Sequence, residues 1–258
     1  MDGKKRFDGI KKAELHELST VKKVIAVVGG KGGVGKSSVC SMLAVTLQRK
    51  GYNVAILDAD LTGPSVPKAF GLKGYCDGTS QGIYPIFTKT GIQVISMNLL
   101  LEKTTDPIIW RGPVLSEYVK SFYSKVVWTD VDYMFIDMPP GTGDVPLSVL
   151  QEIPVDGIVV VTAPQELAKD VTEKAINMAK TLNVPIYGVI ENQTYFICKN
   201  CGKKHYVYGK GKSAEERFAI NTVAEIPIDK NLAYQTDHGL IELFEGDFLD
   251  EISDLIER

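Results

Sequence analysis

The run Val24-Ile25-Ala26-Val27-Val28 is followed without a break by Gly29-Gly30-Lys31-Gly32-Gly33-Val34-Gly35-Lys36-Ser37. Consecutive apolar, mostly β-branched residues predict a strand, and apolarity that does not alternate predicts one covered on both faces. Gly30 to Ser37 fit the pattern G-x-x-x-x-G-K-[ST] in full. Glycines let successive backbone N–H groups wrap an anion, and a helix beginning at the end of the loop adds the positive end of its dipole. The stretch Lys36–Lys50, with Val39, Leu43, Val45 and Leu47 and a stop at Gly51, supplies that helix. In this setting Lys36 reaches the β/γ-phosphates of a nucleotide and the Ser37 hydroxyl ligates Mg²⁺. The expected nucleotide contacts are Gly30, Lys31, Gly32, Gly33, Val34, Gly35, Lys36, Ser37 and Ser38.

Outward from this loop the same alternation repeats. Val54–Leu57 ends in Asp58, Tyr133–Ile136 ends in Asp137, and Ile158–Val161 and Ile186–Ile190 follow. Helical patterns lie at Leu115–Val127 and Leu167–Leu182. Strands alternating with helices predict βαβ units: an α/β P-loop NTPase fold, with a mostly parallel sheet and helices on both faces. Residues 1–21 read as a polar lead-in with one short helix, and residues 22–258 as a single domain. Within the glycine-punctuated residues 72–96, the pieces Gly82–Phe87 and Ile92–Ser96 read as an antiparallel edge insertion. Residues 192–212 read as a polar loop, long enough to suggest a functional role.

The 258 residues carry 29 Lys and Arg against 32 Asp and Glu, a net charge of −3. That balance speaks against a dedicated nucleic-acid binder, which would show a basic excess. No apolar run reaches the ~18 residues of a membrane span, so no membrane insertion is expected. The charged N-terminus lacks the apolar core of a signal peptide. The four cysteines, Cys40, Cys76, Cys198 and Cys201, are too scattered for a disulfide scaffold and suit a reducing cytoplasm.

Two strands end in carboxylates, at Asp58-Ala59-Asp60 and at Asp137. The carboxyl ends of parallel strands face the crevice where ligands bind in such sheets. Asp137 is the candidate to hold Mg²⁺ beside the phosphates. Asp60 is placed to orient the attacking water and to share the metal. Asp58 taken alone reads equally well as a turn or cap former. The segment Pro139-Pro140-Gly141-Thr142-Gly143 is stiff and then loose, and is expected to swing as a unit with the γ-phosphate. Asn192, after the strand Ile186–Ile190, offers a donor and an acceptor to a base edge, or is a turn-forming asparagine.

Cys198-Lys199-Asn200-Cys201 is C-x-x-C inside the polar loop. A thioredoxin-like redox pair is disfavoured there, because such pairs open a helix after a strand. Zinc needs four ligands, of which His205 is a candidate third. A 4Fe–4S cluster needs four thiolates. Cys40, on the loop helix, reads as core packing, and Cys76 falls in the edge insertion. Two chains related by a two-fold axis would together offer four thiolates, since such an interface brings the same patch of both partners together.

The segments DADLTGPSVPKAFGL (58–72), IIWRGP (108–113), DYMFIDMPPGTGD (132–144) and ENQTYFICKNCG (191–202) occur in that order. Together they resemble the Mrp/ApbC-type iron–sulfur cluster carrier ATPases, a branch of the deviant Walker A (MinD/ParA) superfamily. The resemblance runs from about Lys22 to near the C-terminus. It implies a homodimer that binds and slowly hydrolyses ATP with Mg²⁺, bridges a labile 4Fe–4S cluster through Cys198 and Cys201, and passes it to apo-proteins. By resemblance Lys31 crosses the dimer interface to the partner's nucleotide, so Lys31, Lys36, Asp60 and Asp137 form the catalytic set. Asp60 belongs to switch I and Asp137–Gly143 to switch II. Asn192 and, on weaker grounds, Pro227 and Asp229 contact adenine. Lys199 departs from the proline common after the first cysteine, and no cysteine before Cys40 provides an additional N-terminal cluster. The competing readings are a MinD/ParA-like positioning ATPase and a zinc-bridged regulatory ATPase. The C-terminal stripe Phe248, Leu249, Ile252, Leu255 and Ile256 has an acidic polar side, which predicts core packing rather than attachment to anionic lipid.

Overall fold

The computed structural model describes residues 11–61, 63–100, 112–164, 169–209 and 213–258. The described elements begin with β1 (Val21–Gly29), the loop, and α1 (Lys36–Arg49). Next come β2 (Val54–Asp58), α2 (Val66–Phe70) and four short strands: β3 (Gly78–Thr79), β4 (Gly82–Ile83), β5 (Ile86–Phe87) and β6 (Gln93–Ile95). The middle of the chain is α3 (Gly112–Lys125), β7 (Val131–Asp137), α4 (Asp144–Glu152), β8 (Gly157–Thr162), α5 (Lys169–Thr181) and β9 (Ile186–Glu191). It closes with β10 (Phe196–Ile197), β11 (Lys204–His205), α6 (Ala214–Phe218), β12 (Thr222–Glu225), α7 (Lys230–Asp237) and α8 (Asp250–Glu257).

Among the described residues one eight-stranded sheet has the order β12-β9-β8-β1-β7-β2-β6-β5. Every pairing is parallel except β5 with β6 at the edge. Side chains alternate across each strand, so β1 feeds two cores. Ile25 and Val27 pack in one with Val39, Leu43 and Leu47 of α1 and Ile252 and Ile256 of α8. Val24, Ala26 and Val28 pack in the other with Val119 and Phe122 of α3, Val149 of α4 and Ile176 of α5. The α/β fold with helices on both faces is therefore present, and the C-terminal stripe is core. Among the described residues no helix is long and apolar enough to cross a membrane.

The structure refines this reading at several points. Gln93–Ile95 belongs to the main sheet, parallel to β2, and only β5 is the antiparallel edge. Gly82–Ile83 instead pairs with Gly78–Thr79 in a separate hairpin. The edge strand β12 was unpredicted: its four residues carry too little pattern to separate from a loop. Residues 11–20 contain no helix, and the rest of the lead-in, where the short helix was expected, lies outside the described residues. They lie against the body: Lys12 Nζ donates to the carbonyls of Leu150 and Ile153, and the Ser19 hydroxyl to that of Val126. The polar loop also holds an ordered two-stranded hairpin, β10–β11. Residues 1–10, Thr62, the stretch Ile108–Arg111 with Trp110, the predicted helix start at Leu167, and residues 210–212 lie outside the described residues.

Candidate functional site

The sheet's register sets the site. Asp58 and Asp137 are Cα partners across β2 and β7, and Val27 of β1 pairs with Asp137, so the two carboxylates and the loop share one carboxyl edge. The loop fits there because two glycines leave room. A Cβ on Gly30 would lie 2.4 Å from the Thr172 backbone nitrogen, and one on Gly35 (φ +79) would lie 2.2 Å from Asn192 Nδ2. The segment after β7 is tied to the loop's root, since Met138 N–H donates to the Val27 carbonyl and Gly141 N–H to that of Gly29.

At the centre, Lys36 Nζ donates to Asp137 Oδ1 at 2.5 Å. Both are buried, at 7% and 0% exposure. Asp137 Oδ2, also buried, has no hydrogen-bond partner among the described residues, and the Ser37 side chain, next to Lys36, helps draw this carboxyl down. Asp58 is buried too, with Oδ1 accepting from the Asp60 N–H at 3.1 Å and Oδ2 from the Ser96 hydroxyl at 3.0 Å. Burial pushes the Asp58 carboxyl well up, and Asp137 pushes it further. Burial likewise raises Asp137, against the opposing pull of Lys36. For Lys36 burial pulls down, but the charge and hydrogen bond of Asp137 raise it overall. Beyond burial, which leads for both carboxyls, Asp58, Asp60 and Asp137 share one edge with the buried ammonium of Lys36, and negative charge there is in excess. A divalent cation beside Ser37 and the unpartnered Asp137 oxygen would relieve that excess, and the donor set of hydroxyl and carboxylates suits Mg²⁺.

Asp58 is the residue whose part the sequence understated. A carboxyl held toward its neutral form by burial destabilises the free protein once pH rises and the charge is forced on it. Its folded value lies above its unfolded one, so the folded state binds the extra proton and stability falls as pH climbs through that window. Asp58→Asn, which keeps the shape, is therefore expected to raise the melting temperature of the ligand-free protein at neutral pH by about 2–4 °C. It should also flatten the fall in stability above pH 4. A lower melting temperature at every pH would contradict this.

Two adjoining cavities share Gly35 and Ser38. One, of about 260 Å³, is lined by the loop from Lys31 to Ser38 with Asp60, Ser65 and Pro140. The other, of about 430 Å³, is bounded by Met42, Asn192, Pro227, Asp229 and Leu232. The structure thus brings Lys31, Lys36, Ser37 and Asp60 to a polar end and Asn192, Pro227 and Asp229 to a more apolar end. Asp229 also caps α7, accepting from the Asn231 and Leu232 N–H groups. Ser96, Thr162 and Thr172 were not foreseen. Thr162 and Thr172 share a buried hydroxyl contact at 3.1 Å beside Gly30, and Ser96 follows a strand that the sequence placed antiparallel.

Downstream of Asn192, β10 and β11 pair Phe196 with His205 and Ile197 with Lys204. Cys198 N–H donates to the Lys203 carbonyl, and Gly202 N–H to the Cys198 carbonyl. This turn brings the ligand atoms of Cys198, Cys201 and His205 within 4.8 Å of one another. Backbone N–H groups of Cys201 and Asn200, and then the Cys201 thiol, draw the Cys198 thiol below its ordinary range. That favours the thiolate, the form that binds metals. The hairpin tip is exposed, and so are the apolar side chains of Ile197 (55%), Val207 (54%) and Tyr208 (52%) around it. Cys40 is fully buried in the core, as expected.

Residues 20–254 match the family described as ParA, NUBPL iron-transfer P-loop NTPase. An iron-sulfur cluster carrier protein of Aquifex aeolicus is 44% identical over 223 residues, which is 85% of this chain and 61% of the carrier, so this chain spans less than two thirds of that relative. The iron-sulfur cluster carrier protein of Methanocaldococcus jannaschii is 39% identical over 252 residues, 95% of this chain and 87% of the relative. A nucleotide-binding protein of Archaeoglobus fulgidus, solved in complex with ADP and with cobalt, superimposes with a TM-score of 0.79 at 41% identity, covering 89% of this chain and 91% of its own.

Proposed function

The chain belongs to the ParA family of NUBPL iron-transfer P-loop NTPases, and on that premise we propose that it is an ATP-hydrolysing carrier of a labile 4Fe–4S cluster. Two copies hold the cluster between them and release it to apo-proteins in the cytoplasm. The observation that carries the reading is the hairpin β10–β11, which gathers two thiols and His205 within 4.8 Å of one another under an exposed apolar surround. Two thiolates are half a cluster site, and a two-fold interface between hairpins supplies the other half.

In the nucleotide site the residues exchange partners. The free protein pairs Lys36 with Asp137. An incoming triphosphate takes the ammonium and frees the Asp137 carboxylate, which with Ser37 and Asp60 would hold Mg²⁺. The metal, when bound, neutralises charge on the phosphate oxygens. Asp60, lining the phosphate cavity, orients the attacking water. The loop N–H groups from Gly30 to Ser38 position the phosphates. The base occupies the cavity of Asn192, Pro227 and Asp229. Lys31, exposed on the loop, reaches the nucleotide of the partner copy. Lys31→Ala should therefore leave nucleotide affinity nearly unchanged but slow hydrolysis by roughly 10³-fold, the scale for removing a charge supplied in trans. Loss of affinity with an unchanged turnover rate would place Lys31 in ground-state binding instead.

His205, near both thiols, favours a second reading in which zinc takes the hairpin ligands. Mixing cluster-loaded protein with an apo acceptor under a chelator separates the two. The carrier reading expects the acceptor to gain its cluster chromophore directly; transfer blocked by the chelator would count against it.

A further inference from the structure

Asn192 stands at the carboxyl end of β9, only 6% exposed. Its backbone N–H donates to the Thr162 carbonyl at 2.8 Å, which fixes it to the sheet. Its side chain then grips the loop, with Nδ2 donating to the Val34 carbonyl at 2.8 Å and Oδ1 accepting from the Gln193 N–H at 2.9 Å. The contact is so close that a Cβ on Gly35 would lie 2.2 Å from Nδ2. In a trans peptide the C=O and N–H point in opposite directions. Tying the Val34 oxygen to Asn192 therefore aims the Gly35 N–H away from Asn192 and sets the orientation of one peptide in the anion-binding loop. Donors fixed before the anion arrives need no reordering when it binds.

We propose that Asn192 is a positioning residue that holds the phosphate loop in its anion-binding form, whatever base the nucleotide carries. The inference rests on the nucleotide reading above. The amide retains one N–H and one acceptor lone pair, so a base-reading role makes a different forecast that experiment can separate.

The test compares dissociation constants of Mg-ATP, Mg-ITP and magnesium tripolyphosphate, which has no base, for the whole chain and its variants. Asn192→Ala is expected to weaken all three by one common factor, about tenfold, the scale of one well-made hydrogen bond. Asn192→Leu keeps the side-chain volume and adds no charge but loses the donor to Val34, and should behave the same even if the alanine variant folds poorly. Amide hydrogen exchange should rise in residues 30–37 of either variant while the rest of β9 stays protected. Weakened ATP binding with unchanged tripolyphosphate binding, or unchanged loop exchange, would overturn the proposal. Failure of the unsubstituted chain to bind any of the three would instead refute the nucleotide reading and leave Asn192 aside.

Discussion

Lys36→Met is expected to abolish ATP hydrolysis and to destabilise the ligand-free protein by about 3–5 kcal/mol, the scale for breaking a buried ion pair on one side. The cause lies in the cluster at the carboxyl edge. Lys36 is the cation paired with Asp137, and Asp58 and Asp60 stand beside that pair. Without the ammonium, Asp137 must either stay charged in the core or take up a proton. Burial already pushes it toward the proton, which moderates the loss at low pH. The destabilisation should therefore grow as pH rises. Lys36→Met combined with Asp137→Asn removes both charges and is expected to recover most of the stability with none of the hydrolysis. The two effects separate cleanly: chemical denaturation reads the first and phosphate release the second. A stable Lys36→Met single variant that still turns over ATP would remove Lys36 from both roles.

The second large effect concerns the hairpin. Cys198→Ala and Cys201→Ala are each expected to abolish cluster binding, because each change removes two of the four thiolates when two copies meet. Folding should barely change. Cys201 is exposed, Cys198 is half-buried and neither belongs to the buried core, so each stability change should stay within about 1 kcal/mol. Nucleotide affinity should also be retained, since neither cysteine lines the phosphate or base cavity. His205→Ala discriminates between the metals. It should leave the iron cluster intact and weaken zinc, for which His205 would be a third ligand. Iron retained by Cys198→Ala would refute the shared site.

Much of this is legible in the sequence. The loop could be read because its chemistry is local: spacing, glycine and helix start all sit within one short stretch. The central strands could be read because burial on both faces leaves unbroken apolar runs. What could not be read depends on partners far along the chain. Asp58 reads equally well as a turn former or a site carboxylate in the sequence, and the alignment of β2 with β7 sets it beside Asp137. Ser96 reaches Asp58 only because β6 joins the sheet parallel to β2. By sequence Asn192 either offers its amide to a base or forms a turn; in the fold that amide is held by the Val34 carbonyl, more than 150 residues earlier in the chain. His205 meets Cys201 through the β10–β11 register, which pairs it with Phe196. The short strand β12 carries no pattern of its own and is recruited by β9.

The central claim, that two chains share one cluster, is tested most directly by anaerobic reconstitution with iron and sulfide, with iron counting and solution mass measured on the same sample. The account predicts about two irons per chain, in a species of twice the chain mass, and none in Cys198→Ala. Equal iron in the wild type and Cys198→Ala, or a full cluster carried by a single chain, would contradict it.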